Sequence, residues 1–224
     1  MRRNLLTFLL ACLAAVVVIA YFVTANWHDA PEIAEDVWVD LDSVDVQADE
    51  MAMHKSTHIK FEGVPIDGTL KQFVTRMHRA GFRVESFDNA TAVLVGTFFG
   101  HNNCRIYVNS LSRKNLVSKI AVVLPTDNDW NSLEYDYNEL KRYMTAGFGE
   151  CVSCVEKFDS PYAKNASGKM HAVKLDQYKY ETRFVNEKGS MSLLIKHVDD
   201  DTFVMFVLRD KENTGMLQEV PVEE

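Results

Sequence analysis

Four residues of this chain have the side chains and the spacing to do chemistry: His101, Cys104, Cys151 and Cys154. His101-Asn-Asn-Cys104 and Cys151-Val-Ser-Cys154 each place two metal-binding side chains three residues apart, and together they supply one His and three Cys, an acceptable zinc inventory. The 46 residues between the two pairs make an unusual gap, and export of the domain argues against a zinc knuckle. Cys151-Val-Ser-Cys154 is also a C-x-x-C dithiol. In redox enzymes that motif sits at a helix N-terminus, where the dipole lowers the thiol pKa, whereas here it follows the C-terminal end of a predicted helix. The third chemistry is a disulfide. Cys104, Cys151 and Cys154 are an odd set in an oxidising compartment, so one bridge and one spare thiol is the simplest outcome. A Cys104–Cys154 bridge, or one from Cys104 to Cys151, would pin two halves of the domain together. It would close a loop of about 50 residues, worth roughly 3–4 kcal/mol in the chain-entropy picture. A Cys151–Cys154 bridge would constrain little.

Other constellations are weaker. The chain has no Gly-rich phosphate loop, no G-x-S-x-G and no H-E-x-x-H, so we expect no catalytic residue, no cofactor and no enzyme activity. Asp199-Asp200-Asp201 lacks the ligand spacing of a calcium loop and reads as a hairpin tip. There is no basic patch with interleaved aromatics, which argues against nucleic acid as a partner.

The elements that must position these residues begin with a membrane address. Leu5 to Val23 is one unbroken apolar run preceded by Arg2 and Arg3, about the length that spans a bilayer as a helix. Positive-inside orientation leaves residues 1–4 in the cytoplasm, makes 5–24 a transmembrane signal anchor, and places the rest outside, periplasmic or extracellular. Cleavage after Ala25 would instead release a secreted domain. Leu9-Leu10-Ala11-Cys12 looks like a lipobox, but the apolar run continues past Cys12.

Residues 25–53 form an acidic linker. Nine acids lie between Asp29 and Glu50 with no Lys or Arg among them, so most of the net charge of −8 resides there. Val37, Trp38, Val39, Leu41, Val44 and Val46 interrupt the acids with partial alternation, so an edge strand near 37–46 is conceivable.

Residues 54–210 suit one globular domain, followed by a polar tail over 211–224. A faint duplication runs through the domain. Val64-Pro65-Ile66-Asp67 and Leu124-Pro125-Thr126-Asp127 each follow a strand-like run and precede a helical pattern, ending in Ala80-Gly81-Phe82 and Ala146-Gly147-Phe148. This predicts repeats over about 57–111 and 117–210. Thr69 and Gln72 can form a capping box before the stripe Leu70, Phe73, Val74, Met77. Asp129 opens the second stripe, Trp130, Leu133, Tyr137, Leu140 and Met144, and Gly147 is expected to close it in a left-handed conformation.

Strand patterns occupy Thr91–Phe99, Cys104–Asn109, Val117–Leu124, Val152–Phe158, Tyr178–Val185, Met191–His197 and Thr202–Leu208, with a polar loop around Asn165, Ser167 and Gly168. Phe203–Leu208 is apolar on both pleat faces and reads as a central strand. The fold class is therefore α+β: two strand-helix-strands repeats in an antiparallel sheet, two main helices on one face, and an N-terminal transmembrane helix ahead of them.

The runs VPIDGTLKQFVTRMHRAGF, LVGTFFGHNNCRIYV, WNSLEYDYNELKRYMTAGFGE and KYETRFVNEKGSMSLLI together resemble a group of exported or membrane-anchored bacterial proteins of unknown function, over about residues 58–208. That group has no assigned catalytic residues, so the resemblance implies none. The layout is also similar to β-lactamase-inhibitor-like repeats, as a likeness of fold alone. The reading that follows is a non-enzymatic, membrane-anchored domain that binds another envelope protein. A small-molecule or lipid carrier, with its ligand between helices and sheet, is the first alternative, and a zinc-binding or thiol redox protein the second.

Overall fold

The computed structural model describes residues 56–111 and 115–215, all within one compact unit of the chain. The anchor at Leu5–Val23, the acidic linker and the alternating stretch 37–46 lie outside the described residues. No helix among the described residues is long and apolar enough to cross a membrane.

A short hairpin, β1 (Lys60–Phe61) and β2 (Val64–Pro65), precedes α1 (Leu70–Arg79). Four strands follow: β3 (Arg83–Phe87), β4 (Thr91–Phe98), β5 (His101–Leu111) and β6 (Leu116–Val123). Then come α2 (Trp130–Phe148), β7 (Ser153–Phe158), α3 (Ala166–Lys174), β8 (Tyr178–Val185), β9 (Gly189–Val198), β10 (Asp201–Asp210) and α4 (Lys211–Gly215). β3 to β10 form one antiparallel sheet in the order β3-β4-β5-β6-β10-β9-β8-β7. The first half is a helix followed by four strands, the second has α3 inserted after the first of its four strands, and the halves meet where β6 pairs with β10. By sheet order β6 completes the first half, whereas the sequence repeat assigns residues 117–124 to the second. The hydrophobic pattern marks a strand but not its partner.

Local signals explain both main helices. Thr69 Oγ1 accepts from Gln72 N at 3.3 Å while Thr69 N donates to Gln72 Oε1 at 2.9 Å, the expected capping box. Asp129 accepts from Ser132 N at 3.2 Å to open α2. The left-handed terminator of α2 is Gly149, with φ +83°, not Gly147. The extra residues keep Phe148 helical, with its ring against the core. α3 lies where the sequence suggests a polar loop. Asn165 caps it by accepting from Gly168 N at 2.8 Å, and it buries Met170, Ala172 and Val173. Nine residues rich in small and polar types give too short a stripe to show helical periodicity.

The predicted stripes of α1 and α2 are buried in one core against a single face of the sheet. One cross-strand row shows this face: Val84, Leu94, Ile106, Val122, Phe206, Leu193 and Thr182, register by register. Trp130, Tyr137, Phe73, Phe184, Ile66 and Leu70 are among the largest fully buried side chains.

The stretch 211–224, expected to be a tail, begins as part of the fold. Asp210, 0% exposed, accepts from Ile59 N at 3.0 Å and Asn213 N at 2.9 Å, and lies 3.0 Å from His58 Nδ1. Asn213 Nδ2 donates to the carbonyls of Ile66 and Val117 at 3.0 and 2.7 Å. α4 thus closes the sheet end over the incoming chain.

Candidate functional site

The structure separates the residues that the sequence pairs. Cys104 is buried on β5, with its thiol directed at the carbonyls of His101 (3.3 Å) and Phe98 (3.8 Å). Burial pushes this thiol pKa up, against the Phe98 hydrogen bond that lowers it and with Asp136 adding to the rise. His101 pairs through Nε2 with Asp136 Oδ1 of α2 at 3.3 Å. Cys154 lies on β7, five strands away in the sheet and therefore about 24 Å distant at roughly 4.8 Å per strand. A bridge from Cys104 to Cys154 or to neighbouring Cys151 needs Cα atoms within about 7 Å. The topology therefore corrects that pairing, and all three are free thiols. The same distance splits the proposed zinc ligands into His101/Cys104 and Cys151/Cys154. Among the described residues no three His, Cys, Asp or Glu side chains converge as metal ligands.

Cys154 instead joins a polar cluster at the β7 edge. Its sulfur is 3.2 Å from Thr182 Oγ1, which is 2.7 Å from Tyr137 OH and 3.3 Å from Glu156 Oε1. Lys141 Nζ donates to the same carboxylate oxygen at 2.5 Å. Burial pushes the Tyr137 hydroxyl pKa far up.

The larger feature is the sheet face that no described helix covers. Its rows are Val93, Tyr107, Ala121, Val207 and, beside it, Val95, Arg105, Val123, Met205, Leu194, Glu181, Val155. None of these residues belongs to the core between helices and sheet. Ala121 and Val207 are 8% and 5% exposed. The apolar side chains of these rows are buried or half-buried although no described helix packs on them.

Charge surrounds that centre unevenly. Arg83, Arg105, Lys119, Lys157, Lys179, Arg183, Lys196 and Arg209 project on this face against Glu85, Glu181 and Asp201. Arg105 pairs with Glu85 at 3.3 Å, Lys179 with Glu181 at 3.7 Å, and Lys157 with Asp159 at 2.8 Å. Lys119 and Arg209 stand directly opposite each other on β6 and β10, and among the described residues neither has a carboxylate within ion-pair distance. Like charges in that position are destabilising. Burial lowers the Lys119 pKa, and the Arg209 guanidinium lowers it further. Burial likewise raises the pKa of Tyr107, in the row between Arg105 and Lys119.

On the helical side, an open cleft of about 450 Å³ is lined by His101, Asp127, Asn131, Ser132, Tyr135 and Asp136. Burial raises the Asp136 pKa against the lowering influence of His101, while Asp127 adds to the rise. The cleft is lined by polar residue types from α2, the loop before it and the start of β5.

No family model, characterised protein or solved structure matches this chain. Sequence reasoning missed Lys119, Arg209 and the Tyr137–Lys141–Glu156–Thr182 cluster. The period-2 patterns Lys119-x-Ala121-x-Val123 and Phe203-x-Met205-x-Val207-x-Arg209 were available in the sequence, but only the register brings them together.

Proposed function

We propose that this chain is a membrane-anchored, non-enzymatic domain that docks an acidic envelope protein on its open sheet face. The reading places the N-terminus inside, the Leu5–Val23 helix in the cytoplasmic membrane and the domain outside. Cleavage after Ala25 would leave the same surface on a secreted protein. The observation that carries it is the Lys119–Arg209 pair beside a broad apolar centre. A fold gains nothing from opposing two cations on a half-buried sheet face, but a partner carboxylate placed between them would relieve the repulsion and form two charge-assisted hydrogen bonds. A second copy of the chain is a poor occupant, because two faces with the same positive excess repel.

The interior supports docking over transport of a small molecule or lipid. Trp130, Leu133, Tyr137, Leu140 and Phe184 fill the space between α2 and the sheet where a carrier would hold its ligand, and the cleft outside α2 is lined mostly by polar residues.

A photo-crosslinking residue at position 107 or 205, in the full-length protein in its own membrane, tests this. The expected product is a crosslink to an acidic segment of one envelope protein, weakened at least tenfold by Lys119→Glu plus Arg209→Glu. Equal crosslinking with the charges reversed, or crosslinks only from position 135 on α2, would overturn it.

A further inference from the structure

The first helix of the domain is buried on a flank that faces away from its own core contacts. α1 packs on the sheet through Leu70, Phe73, Val74 and Met77. At about 100° per residue, Thr75 lies roughly 150° round the helix from the centre of that stripe, where a surface helix meets solvent. Thr75 is nevertheless 2% exposed. Its hydroxyl donates to Lys71 O at 2.9 Å, which satisfies the group without covering it. Among the described elements, those that pack on α1 are β2 and β3 to β6, and the four sheet strands lie beneath the apolar stripe.

Charge marks the same flank. α1 carries Lys71, Arg76, His78 and Arg79 and no acid. Arg76 pairs with Asp67 at 2.5 Å, whereas Lys71, His78 and Arg79 surround Thr75 at i−4, i+3 and i+4, the positions that neighbour it on the helix surface. A buried threonine ringed by three basic side chains fits an acidic cover with some apolar residues.

We propose that residues 41–50 of this same chain dock on the Lys71–Thr75–Arg79 flank of α1, their acids beside the three basic side chains and their apolar residues over Thr75.

Three observations single out this occupant. The segment has the complementary charge, with Asp42, Asp45, Asp49 and Glu50 and no Lys or Arg, and Leu41, Val44 and Val46 stand among the acids. The described chain begins beside the helix, since Ser56 Oγ donates to Asp67 Oδ2 at 3.4 Å and Asp67 holds Arg76 of α1. Length suffices as well: the five residues 51–55 extend to about 17 Å, and the ten residues of α1 span about 15 Å. So short a connection favours the segment of the same chain over that of a second copy.

Docking there makes the segment part of the domain and leaves residues 24–40 as the tether. Where the open sheet face binds an acidic partner, as proposed above, it also keeps the chain's own acids from that face. Carboxylates tethered loosely beside a basic surface would otherwise compete with the partner at an effective concentration near the millimolar range.

The test uses the purified full-length protein in mild detergent, with no envelope partner present, so its outcome is independent of that docking. A photo-crosslinking residue at position 79 is expected to join residues 41–50 at the mass of a single chain, with the yield falling at least fivefold in 1 M salt, where the Debye length is about 3 Å. Thr75→Cys, in a Cys151→Ser, Cys154→Ser background, should react with a water-soluble maleimide at least tenfold more slowly than Tyr135→Cys in the same background. Changing Asp45, Asp49 and Glu50 to Lys should bring its rate to within twofold of that control. Adding Lys71→Glu and Arg79→Glu to those three lysines should restore protection, a rescue that a merely unfolded variant would not show. Crosslinks between two copies, crosslinks that avoid residues 41–50, or labelling of Thr75→Cys unmoved by reversal of the three acids would overturn the proposal.

Discussion

Replacing Lys119 by Met should stabilise the protein while weakening its docking. Lys119 lies opposite Arg209 in the β6–β10 ladder, at the middle of the eight-stranded sheet. A like-charge cross-strand pair costs roughly 0.2–1 kcal/mol relative to a neutral one. Met keeps the apolar stem on the sheet and discards the ammonium, so little packing is lost. The expected gain is about 0.5–1 kcal/mol, or roughly 1–4 °C in Tm for a domain of this size. Arg209→Met should give a similar gain, and the double variant should gain clearly less than the sum, because either substitution alone removes the repulsion. Thermal melts of the full-length protein in mild detergent measure all three. The gain should shrink at 1 M salt, where the Debye length falls to about 3 Å. Its pH dependence has a definite sign. The folded-state pKa of Lys119 is lowered, so the penalty is present below that value and disappears as pH rises through it. Wild type should therefore approach the Met variant in alkaline solution. A loss of more than 1 kcal/mol in Lys119→Met, or full additivity with Arg209→Met, would refute the reasoning.

Removing the buried Asp210 carboxylate with Asp210→Ala strands the Ile59 and Asn213 amides and should cost about 2–4 kcal/mol in denaturant unfolding. Tyr137→Phe loses a 2.7 Å hydrogen bond but leaves Thr182 with Cys154 and Glu156 as partners, so about 1 kcal/mol is expected by the same measurement. Burial raises the Glu156 pKa, but the Lys141 pair outweighs it and holds the carboxyl below its ordinary value. Its contribution is present above the ordinary glutamate range and is lost as pH falls through the lowered value, so Glu156→Gln should flatten the acid limb of a stability–pH curve. Gly168→Ala would bring a Cβ within 2.1 Å of the Tyr162 carbonyl and should cost about 1–3 kcal/mol, read from the change in Tm.

Both helices were legible because their signals are local. The Thr69–Gln72 box, the Asp129 cap and the two apolar stripes depend on residues within two turns of one another, and the structure buries those side chains. The tight Asp199-Asp200 turn between β9 and β10 and the central place of Phe203–Leu208 were likewise readable from turn chemistry and composition. Strand order was not. It assigns β6 to the first half and parts Cys104 from Cys154, and nothing in a sequence spacing encodes it. The candidate surface failed for a related reason. A run such as Phe203–Leu208 reads as apolar on both faces, but only the register shows that Phe206 and Leu208 enter the core while Met205 and Val207 line an open face. α3 was missed because a nine-residue helix held by one Asn cap and three buried residues carries too little periodicity.

The most direct test of the docking surface is protection of its centre in the native membrane. Met205→Cys, in a Cys151→Ser, Cys154→Ser background, places one reactive thiol on the open face, and Tyr135→Cys places a control on the exposed flank of α2. Labelling by a water-soluble maleimide is compared between intact envelopes and purified protein. The account predicts at least tenfold slower labelling at position 205 in the envelope, no difference at position 135, and loss of protection when Lys119 and Arg209 become Glu. Equal rates at position 205 in both preparations would contradict it.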